Sequence, residues 1–166
     1  MSESLLEQLR QKPLDGSTVV VAKISGNGRM IIVGEPEYDG VGFVSVHERV
    51  TVNSPWKRLF YHYGKERGTE LGKVVGIDKT GANIAFYTPK SNMVYIQRAA
   101  ICKPYVEPLR TDPVHAIPTI GYTILDIIFS GNGDTLALKT DTDLIFTYEY
   151  DKIQKEFISY DTGLLA

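Results

Sequence analysis

Short apolar runs separated by polar turns fill most of the chain, and one pairing of such runs recurs at intervals of about fifty residues. Three segments align without gaps around a turn glycine: Ile24–Gly34 around Gly28, Ile77–Tyr87 around Gly81, and Phe129–Lys139 around Gly133. The tetrapeptide Ser-Gly-Asn-Gly stands at the turn in the first and third segments. Asn-Gly between apolar runs is typical of a tight β-hairpin whose glycine adopts a positive φ. The pattern therefore predicts three equivalent hairpins.

Further strands follow each predicted hairpin. A third strand is predicted in every copy, at Phe43–His47, Met93–Gln97 and Leu144–Tyr148. A fourth is predicted at Trp56–Tyr63 and Ile153–Tyr160, and the middle copy offers Ile101–Leu109, where Pro104 and Pro108 permit only an edge strand or an extended segment. Four antiparallel strands in about fifty residues are typical of one blade of a β-propeller. The alternative is a single β-sandwich or barrel that contains three similar hairpins.

The first copy also resembles the blades of a known repeat family. Those FG-GAP-like blades have a Ser-x-Asp/Asn-Gly turn, a Gly-x-Pro after the second strand, a glycine-rich loop and an aromatic residue in the fourth strand. The matching positions here are Ser25, Asn27, Gly28, Gly34, Pro36, Asp39, Gly40, Gly42 and Trp56. The third copy looks equally like a WD-type blade. The resemblance implies a propeller-like fold and carries no function, because propellers host many functions.

The predicted fold is therefore all-β, with three four-stranded antiparallel blade-like repeats in an incomplete propeller-like ring behind a short N-terminal helix. The helix is predicted within residues 1–16, where Leu5, Leu6 and Leu9 form an apolar stripe. It either folds onto its own domain or docks on a neighbouring subunit. The single β domain spans residues 17–166, and its repeats run over about 17–72, 73–121 and 122–166. Four prolines make residues 99–121 the longest irregular stretch, either an extended arm or a rigid connection.

Composition and charge exclude several classes of protein. The chain has 166 residues, 43% hydrophobic and 23% charged, with a formal net charge of −2, so it lacks the basic surplus of a non-specific nucleic-acid binder. No run approaches the ~20 apolar residues of a membrane helix, and the N-terminus does not read as a secretory signal. Cys102 is the only cysteine, which excludes an internal disulfide and fits a reducing compartment.

The candidate chemistry in the sequence is sparse. Glu35, Glu37 and Asp39 offer carboxylates for calcium, but the proline and tyrosine between them favour a plain turn. His47, His62 and His115 lack the spacing of a zinc site, and we interpret His47 and His62 as ordinary strand histidines. Cys102 and His115 lack the context of a nucleophile and its base. We therefore expect no catalytic, cofactor-binding or metal-binding residue, and no enzyme.

Charge and architecture together favour association with other proteins. Residues 56–73 hold five basic and two acidic side chains, whereas residues 126–161 hold eight acidic and three basic ones. Three blades are too few for a closed ring, so either two copies close a six-bladed ring or the sheets pack against a larger assembly. We expect a non-catalytic structural or interaction subunit, cytoplasmic or part of a virion. The alternative is a ligand- or glycan-binding module, and no ligand is indicated.

Overall fold

The computed structural model describes residues 20–98, 109–110, 115–159 and 164–165, and this part of the chain is built almost entirely of β-strands. One short 3₁₀ turn interrupts them at Tyr38–Gly40. No helix in the described residues is long and apolar enough to span a membrane. The strands are β1 Val21–Ile24, β2 Met30–Glu35, β3 Phe43–Glu48, β4 Lys57–Tyr63, β5 Val75–Ile77, β6 Asn83–Thr88, β7 Met93–Arg98, β8 Leu109–Arg110, β9 His115–Pro118, β10 Ile124–Phe129, β11 Thr135–Thr140, β12 Leu144–Asp151, β13 Glu156–Ile158 and β14 Leu164–Leu165.

The strands form three antiparallel sheets that follow one another along the chain. The first sheet has the order β1-β2-β3-β4, the second β5-β6-β7-β9 and the third β10-β11-β12-β13. Strand β14 pairs with β12 in the third sheet, and β8 adds to the edge of the first. The sheets stack face to face and do not close into a ring. This is the predicted fold of three blade-like repeats in an incomplete propeller-like arrangement.

The three hairpin turns confirm the repeat. Gly28, Gly81 and Gly133 have φ angles of 70°, 79° and 76°, a region that glycine enters without steric cost. In the first turn the Ser25 hydroxyl accepts the backbone N–H of Met30 at 3.0 Å. Ser130 accepts the N–H of Thr135 at the same distance, and Asp78 accepts that of Asn83 at 2.9 Å in the middle turn.

Two apolar cores hold the sheets together. Val46, Phe60 and Ile84 belong to the core between the first and second sheets, and Tyr87, Ile117 and Leu138 to the core between the second and third. The first strands of the three sheets also approach each other closely. A Cβ on Gly76 of β5 would lie 2.6 Å from the Ile127 side chain of β10. Nearby, Lys23 of β1 donates to the Asp126 carboxylate of β10 at 2.5 Å, which links the first sheet to the third.

Several predicted elements need correction. The fourth strand of the middle repeat is β9, His115–Pro118, and not Ile101–Leu109, because β9 is the segment that pairs with β7. Leu109–Arg110 pairs instead with β4 of the first sheet, in parallel. The predicted strand Ile153–Tyr160 shortens to β13, because residues 152–155 form a turn. The predicted N-terminal helix and Cys102 lie outside the described residues.

Candidate functional site

A cavity of about 250 Å³ opens between the first and second sheets. It lies at the end of the molecule where β4 and β6 finish, so its walls come from those strands, from β7 and from the loop that joins β4 to β5. The lining residues are His62, Tyr63, Gly64, Lys65, Glu66, Thr69, Leu71, Phe86, Thr88, Lys90, Ser91 and Tyr95. Aromatic rings and hydroxyl groups share the same small space, as is common in sites for polar organic molecules.

His62 is a buried polar residue in the wall of the cavity. Its ring stacks 5.0 Å from that of Phe86, and its Nε2 lies 2.7 Å from Oε1 of Gln97 on β7. Both side chains are almost completely buried, at 6% and 1% exposure. Because an unpaired polar group costs free energy in an apolar interior, this hydrogen bond is what allows two polar residues to lie between the sheets.

The same position between the second and third sheets holds different residues. Val44 pairs with His62 in the first sheet, and Val94, at the matching place in the repeat, pairs with Ile117 in the second. Gln97 is paired with Ile84, which stands three residues after the turn glycine Gly81. Tyr148 is paired with Leu136, which stands three residues after Gly133, so Tyr148 is the equivalent of Gln97 in the third sheet. The pair of His62 and Gln97 thus replaces an isoleucine and a tyrosine. The repeat does not require a histidine and a glutamine here, so their presence points to a use specific to this cavity.

The second inter-sheet cavity shows the same contrast. It measures about 130 Å³ and lies at the matching end of the second and third sheets. Its lining residues are Pro118, Thr119, Ile120, Tyr122, Ile124, Leu138, Phe146 and Tyr148. None of these carries a charge, whereas the first cavity has three charged side chains. The larger and more polar cavity is therefore the candidate functional site.

Charged and hydroxyl groups also line the first cavity. Lys90 donates to the backbone carbonyl of Arg67 at 2.8 Å and lies 3.4 Å from the Glu66 carboxylate. The hydroxyls of Thr88 and Ser91 hydrogen-bond to each other. Burial raises the pKa of Tyr63, and the neighbouring Tyr38 and Tyr61 add to the effect, so Tyr63 is a neutral phenol at neutral pH.

The loop over the cavity, residues 64–72, is packed tightly onto the loop between β2 and β3. Gly64 donates its N–H to the carbonyl of Gly42 at 2.9 Å, and Gly68 donates to Gly40 at 2.8 Å. A Cβ on Gly64 would lie 2.0 Å from the Val41 carbonyl oxygen, and one on Gly42 would lie 2.3 Å from the Leu71 nitrogen. Gly40 and Gly42 belong to the blade motif seen in the sequence, and with Gly64 and Gly68 they hold one wall of the cavity in place by close backbone contact.

The other candidate residues do not gather into a site. Glu35 is buried at 2% exposure, whereas Glu37 and Asp39 are exposed. Within the described ranges, no three histidine, cysteine or acidic side chains are grouped as metal ligands would be. His47 contacts Ser45 on the face of β3 opposite to Val44, and His115 lies 3.7 Å from Glu156. The basic segment 56–73 contributes Lys65 to the cavity.

Comparison with known proteins identifies the fold through structure alone. No protein-family model and no curated protein matches the sequence. Among solved structures, a Bacteroides fragilis protein provisionally named a 6-phosphogluconolactonase has a TM-score of 0.63 at 13% identity. The Pseudomonas aeruginosa periplasmic gluconolactonase PpgL has a TM-score of 0.60 at 14%, and a functionally unknown Desulfotomaculum acetoxidans protein 0.61 at 13%.

These similarities cover most of this chain and a smaller part of the others. The comparisons span 93% of this chain with the Bacteroides and Pseudomonas proteins, and 90% with the Desulfotomaculum one. In return the chain spans 40%, 41% and 42% of their lengths. At such identity the likeness establishes a shared fold and not a shared activity.

The comparisons overturn the functional expectation drawn from the sequence. The sequence alone predicts a non-catalytic structural or interaction subunit, such as a virion component, and no enzyme. That expectation was wrong, because solved structures that share the fold carry the names of lactonases. These similar structures also give no particular support to FG-GAP-like or WD-type blades, so only the propeller-like arrangement of the resemblance stands.

Proposed function

We propose that this chain hydrolyses a small lactone in the cavity between its first and second sheets. The observation that carries the proposal is His62, which lines this cavity, hydrogen-bonds to the buried Gln97 behind it and corresponds to an isoleucine at the matching place in the next sheet. The lactonase names of similar structures supply the reaction class. The chemistry of the cavity supports the assignment independently of those names.

Hydrolysis of a lactone needs a base to take a proton from water. Histidine is the side chain whose ordinary pKa, about 6.5, lies closest to neutral pH. His62 takes the proton as the water oxygen attacks the carbonyl carbon. The ring C–O bond then breaks, and the imidazolium returns the proton to the leaving oxygen, which becomes a hydroxyl group. The imidazole ends in its starting state, so no cofactor is consumed.

The carbonyl oxygen gains negative charge during the attack and needs donors nearby. The hydroxyls of Thr88 and Ser91 and the ammonium group of Lys90 line the same cavity. Donors held in place before the reaction stabilise such a charge without further reorganisation. Lys90 is held by its contacts with Arg67 and Glu66. The cavity therefore offers a base and several donors around one small substrate.

The size and walls of the cavity limit the substrate. A volume of about 250 Å³ is below the usual range of drug-sized sites, about 300–1,000 Å³, and suits a single small ring. Phe86, Tyr95 and Tyr63 present aromatic surface to the face of such a ring, while hydroxyl and charged groups meet its polar substituents. A monocyclic sugar-type lactone satisfies both requirements.

Initial rates of acid release from a panel of lactones test the proposal. The panel contains D-glucono-δ-lactone, its 6-phosphate and γ-butyrolactone, and spontaneous hydrolysis in buffer is subtracted. The His62→Ile variant installs the residue of the matching position, and His115→Asn serves as the control outside the cavity. We expect His62→Ile to lower kcat by roughly 100-fold or more and His115→Asn to change it by less than about twofold.

Two results would contradict the proposal. One is a wild-type protein that hydrolyses none of the panel above the buffer rate. The other is a His62→Ile variant that remains folded and retains the wild-type kcat. Circular dichroism of each variant establishes that the fold is intact before rates are compared.

A further inference from the structure

The hydrogen bond between His62, in the cavity wall, and the buried Gln97 has a definite direction. A glutamine side-chain oxygen can only accept, so Oε1 of Gln97, 2.7 Å from Nε2 of His62, requires a proton on that nitrogen. In a neutral imidazole one ring nitrogen carries the proton and the other carries the lone pair. With Nε2 protonated, Nδ1 is the nitrogen that can accept a proton.

We propose that Gln97 is a positioning residue that holds neutral His62 in the Nε2–H tautomer and so makes Nδ1 its basic atom. This inference rests on the proposed function for its catalytic meaning, but the tautomer itself is independent of any activity. Gln97 acts through His62, and its place on β7 of the second sheet means that it fixes a ring carried by β4 of the first.

Burial makes this control effective. Water cannot compete readily for Nε2, because His62 and Gln97 are 6% and 1% exposed and the ring lies between Phe86 and Phe60. An amide acceptor is also neutral, so it selects a tautomer without strongly favouring the imidazolium, as a carboxylate would. A base that must accept a proton at neutral pH benefits from both properties.

Among the described residues, several charged and titratable groups line the same cavity as His62. They are Tyr63 on β4, Lys65 and Glu66 in the loop after β4, Lys90 in the turn after β6, and Tyr95 on β7. Glu66 is 70% exposed and lies beside Lys90, so solvent and that lysine screen its effect on the ring. Gln97 makes a direct hydrogen bond to the imidazole.

The tautomer is measured by ¹⁵N nuclear magnetic resonance of the imidazole rings. The chain has three histidines, so loss of one signal set in His62→Ile assigns His62, and His47 and His115 are internal references. We expect wild-type His62 to carry its proton on Nε2. In Gln97→Leu we expect a mixture of tautomers, and where a lactone is hydrolysed, a kcat lower by about tenfold or more with a smaller change in KM.

The Gln97→Glu variant tests the same idea through pH. A carboxylate in place of the amide favours the imidazolium, so the titration midpoint of His62 should rise by about one pH unit or more, and the acid limb of kcat should move with it. The midpoints of His47 and His115 should stay within about 0.2 units of wild type, since neither residue is among those that line the cavity.

The proposal is overturned if wild-type His62 carries its proton on Nδ1, or if Gln97→Glu leaves the His62 midpoint unchanged. The wild-type spectrum decides even where a variant fails to fold. These results are separate from a failure of the lactonase proposal. A protein that has no lactonase activity but shows the expected tautomer would keep the positioning role of Gln97. An active protein that shows the other tautomer would exclude that role.

Discussion

The two copies of Ser-Gly-Asn-Gly allow the same substitution to be compared at two equivalent glycines, Gly28 and Gly133. Gly28 and Gly133 have nearly the same φ, 70° and 76°, so replacing either by alanine costs similar backbone strain, about 1 kcal/mol. Their surroundings differ, however. A Cβ on Gly28 would meet its nearest atom, on Arg49, at 3.7 Å, whereas one on Gly133 would lie 2.5 Å from the Asp78 carboxylate.

We therefore predict that Gly133→Ala destabilises the protein more than Gly28→Ala. The excess should be roughly 1–3 kcal/mol, the range expected for overpacking a close contact. Equilibrium urea unfolding of the two variants measures the difference. Equal costs would mean that the turn of the third sheet does not pack against Asp78 as described.

Tyr148 gives the protein a predicted dependence on alkaline pH. Burial raises the pKa of Tyr148 above its ordinary value of 10.0. The native state therefore retains the phenolic proton after the unfolded chain has lost it. This contribution to stability is complete below about pH 10 and disappears as the pH rises through the native pKa. Between pH 9 and 11, the free energy of unfolding, measured with urea, should fall less for Tyr148→Phe than for wild type. An equal fall in both proteins would contradict the raised pKa of Tyr148.

At the scale of elements, the strands and turns could be predicted because their pattern is local. Ile124–Phe129 was predicted to the residue, and the third strands of all three repeats agree within a few residues at their ends. The fourth strand of the middle repeat could not be found in this way. His115–Pro118 is a short edge strand beside prolines, and its identity depends on pairing with the distant β7.

That misplaced strand also concealed the candidate site. His62 was interpreted as an ordinary strand histidine, and its partner Gln97 is 35 residues away in another sheet. Alignment of the fourth strands would have shown that His62 and Ile117 occupy equivalent positions, and that a histidine stands in the first sheet where the second has an isoleucine. With Ile101–Leu109 in the place of β9, that comparison could not be made. The tight contact of Gly64 with Val41 was equally invisible, because it joins two loops.

The middle turn allows a prediction about hairpin chemistry. Asp78 replaces the serine of the other two turns, and its carboxylate accepts hydrogen bonds from Thr80, Ala82 and Asn83 at 2.8–3.1 Å. Asp78→Ala leaves the buried donors of Asn83 without this acceptor and should cost roughly 2–4 kcal/mol. Asp78→Ser should recover about half of that loss, because Ser25 and Ser130 make the N–H bond in their turns. Thermal and urea unfolding compare the variants, and identical costs would reject the equivalence.

At the scale of the whole molecule, association with protein partners or with a second copy stays a prediction. Ile128 on β10 is 51% exposed and pairs with Ala137 in the third sheet, so it marks an apolar part of the sheet face turned away from the second sheet. If this face is a contact, Ile128→Lys should lower the sedimentation coefficient at high protein concentration. Ile153→Lys, in an exposed turn at 92% exposure, is the matched control. A wild type that sediments as a monomer at every concentration would refute self-association.

The central claim is that a ligand binds between the first and second sheets. Chemical-shift mapping of the ¹⁵N-labelled protein with a lactone, or with the hydroxy acid it yields, tests that claim most directly. The amides of Leu71, Thr88 and Ser91, which line the cavity, should shift together and saturate with one dissociation constant. The amides of Lys23, Gly76 and Asp126 on the first strands of the three sheets should not move. Shifts confined to those first strands, or no saturable shifts at all, would contradict the account.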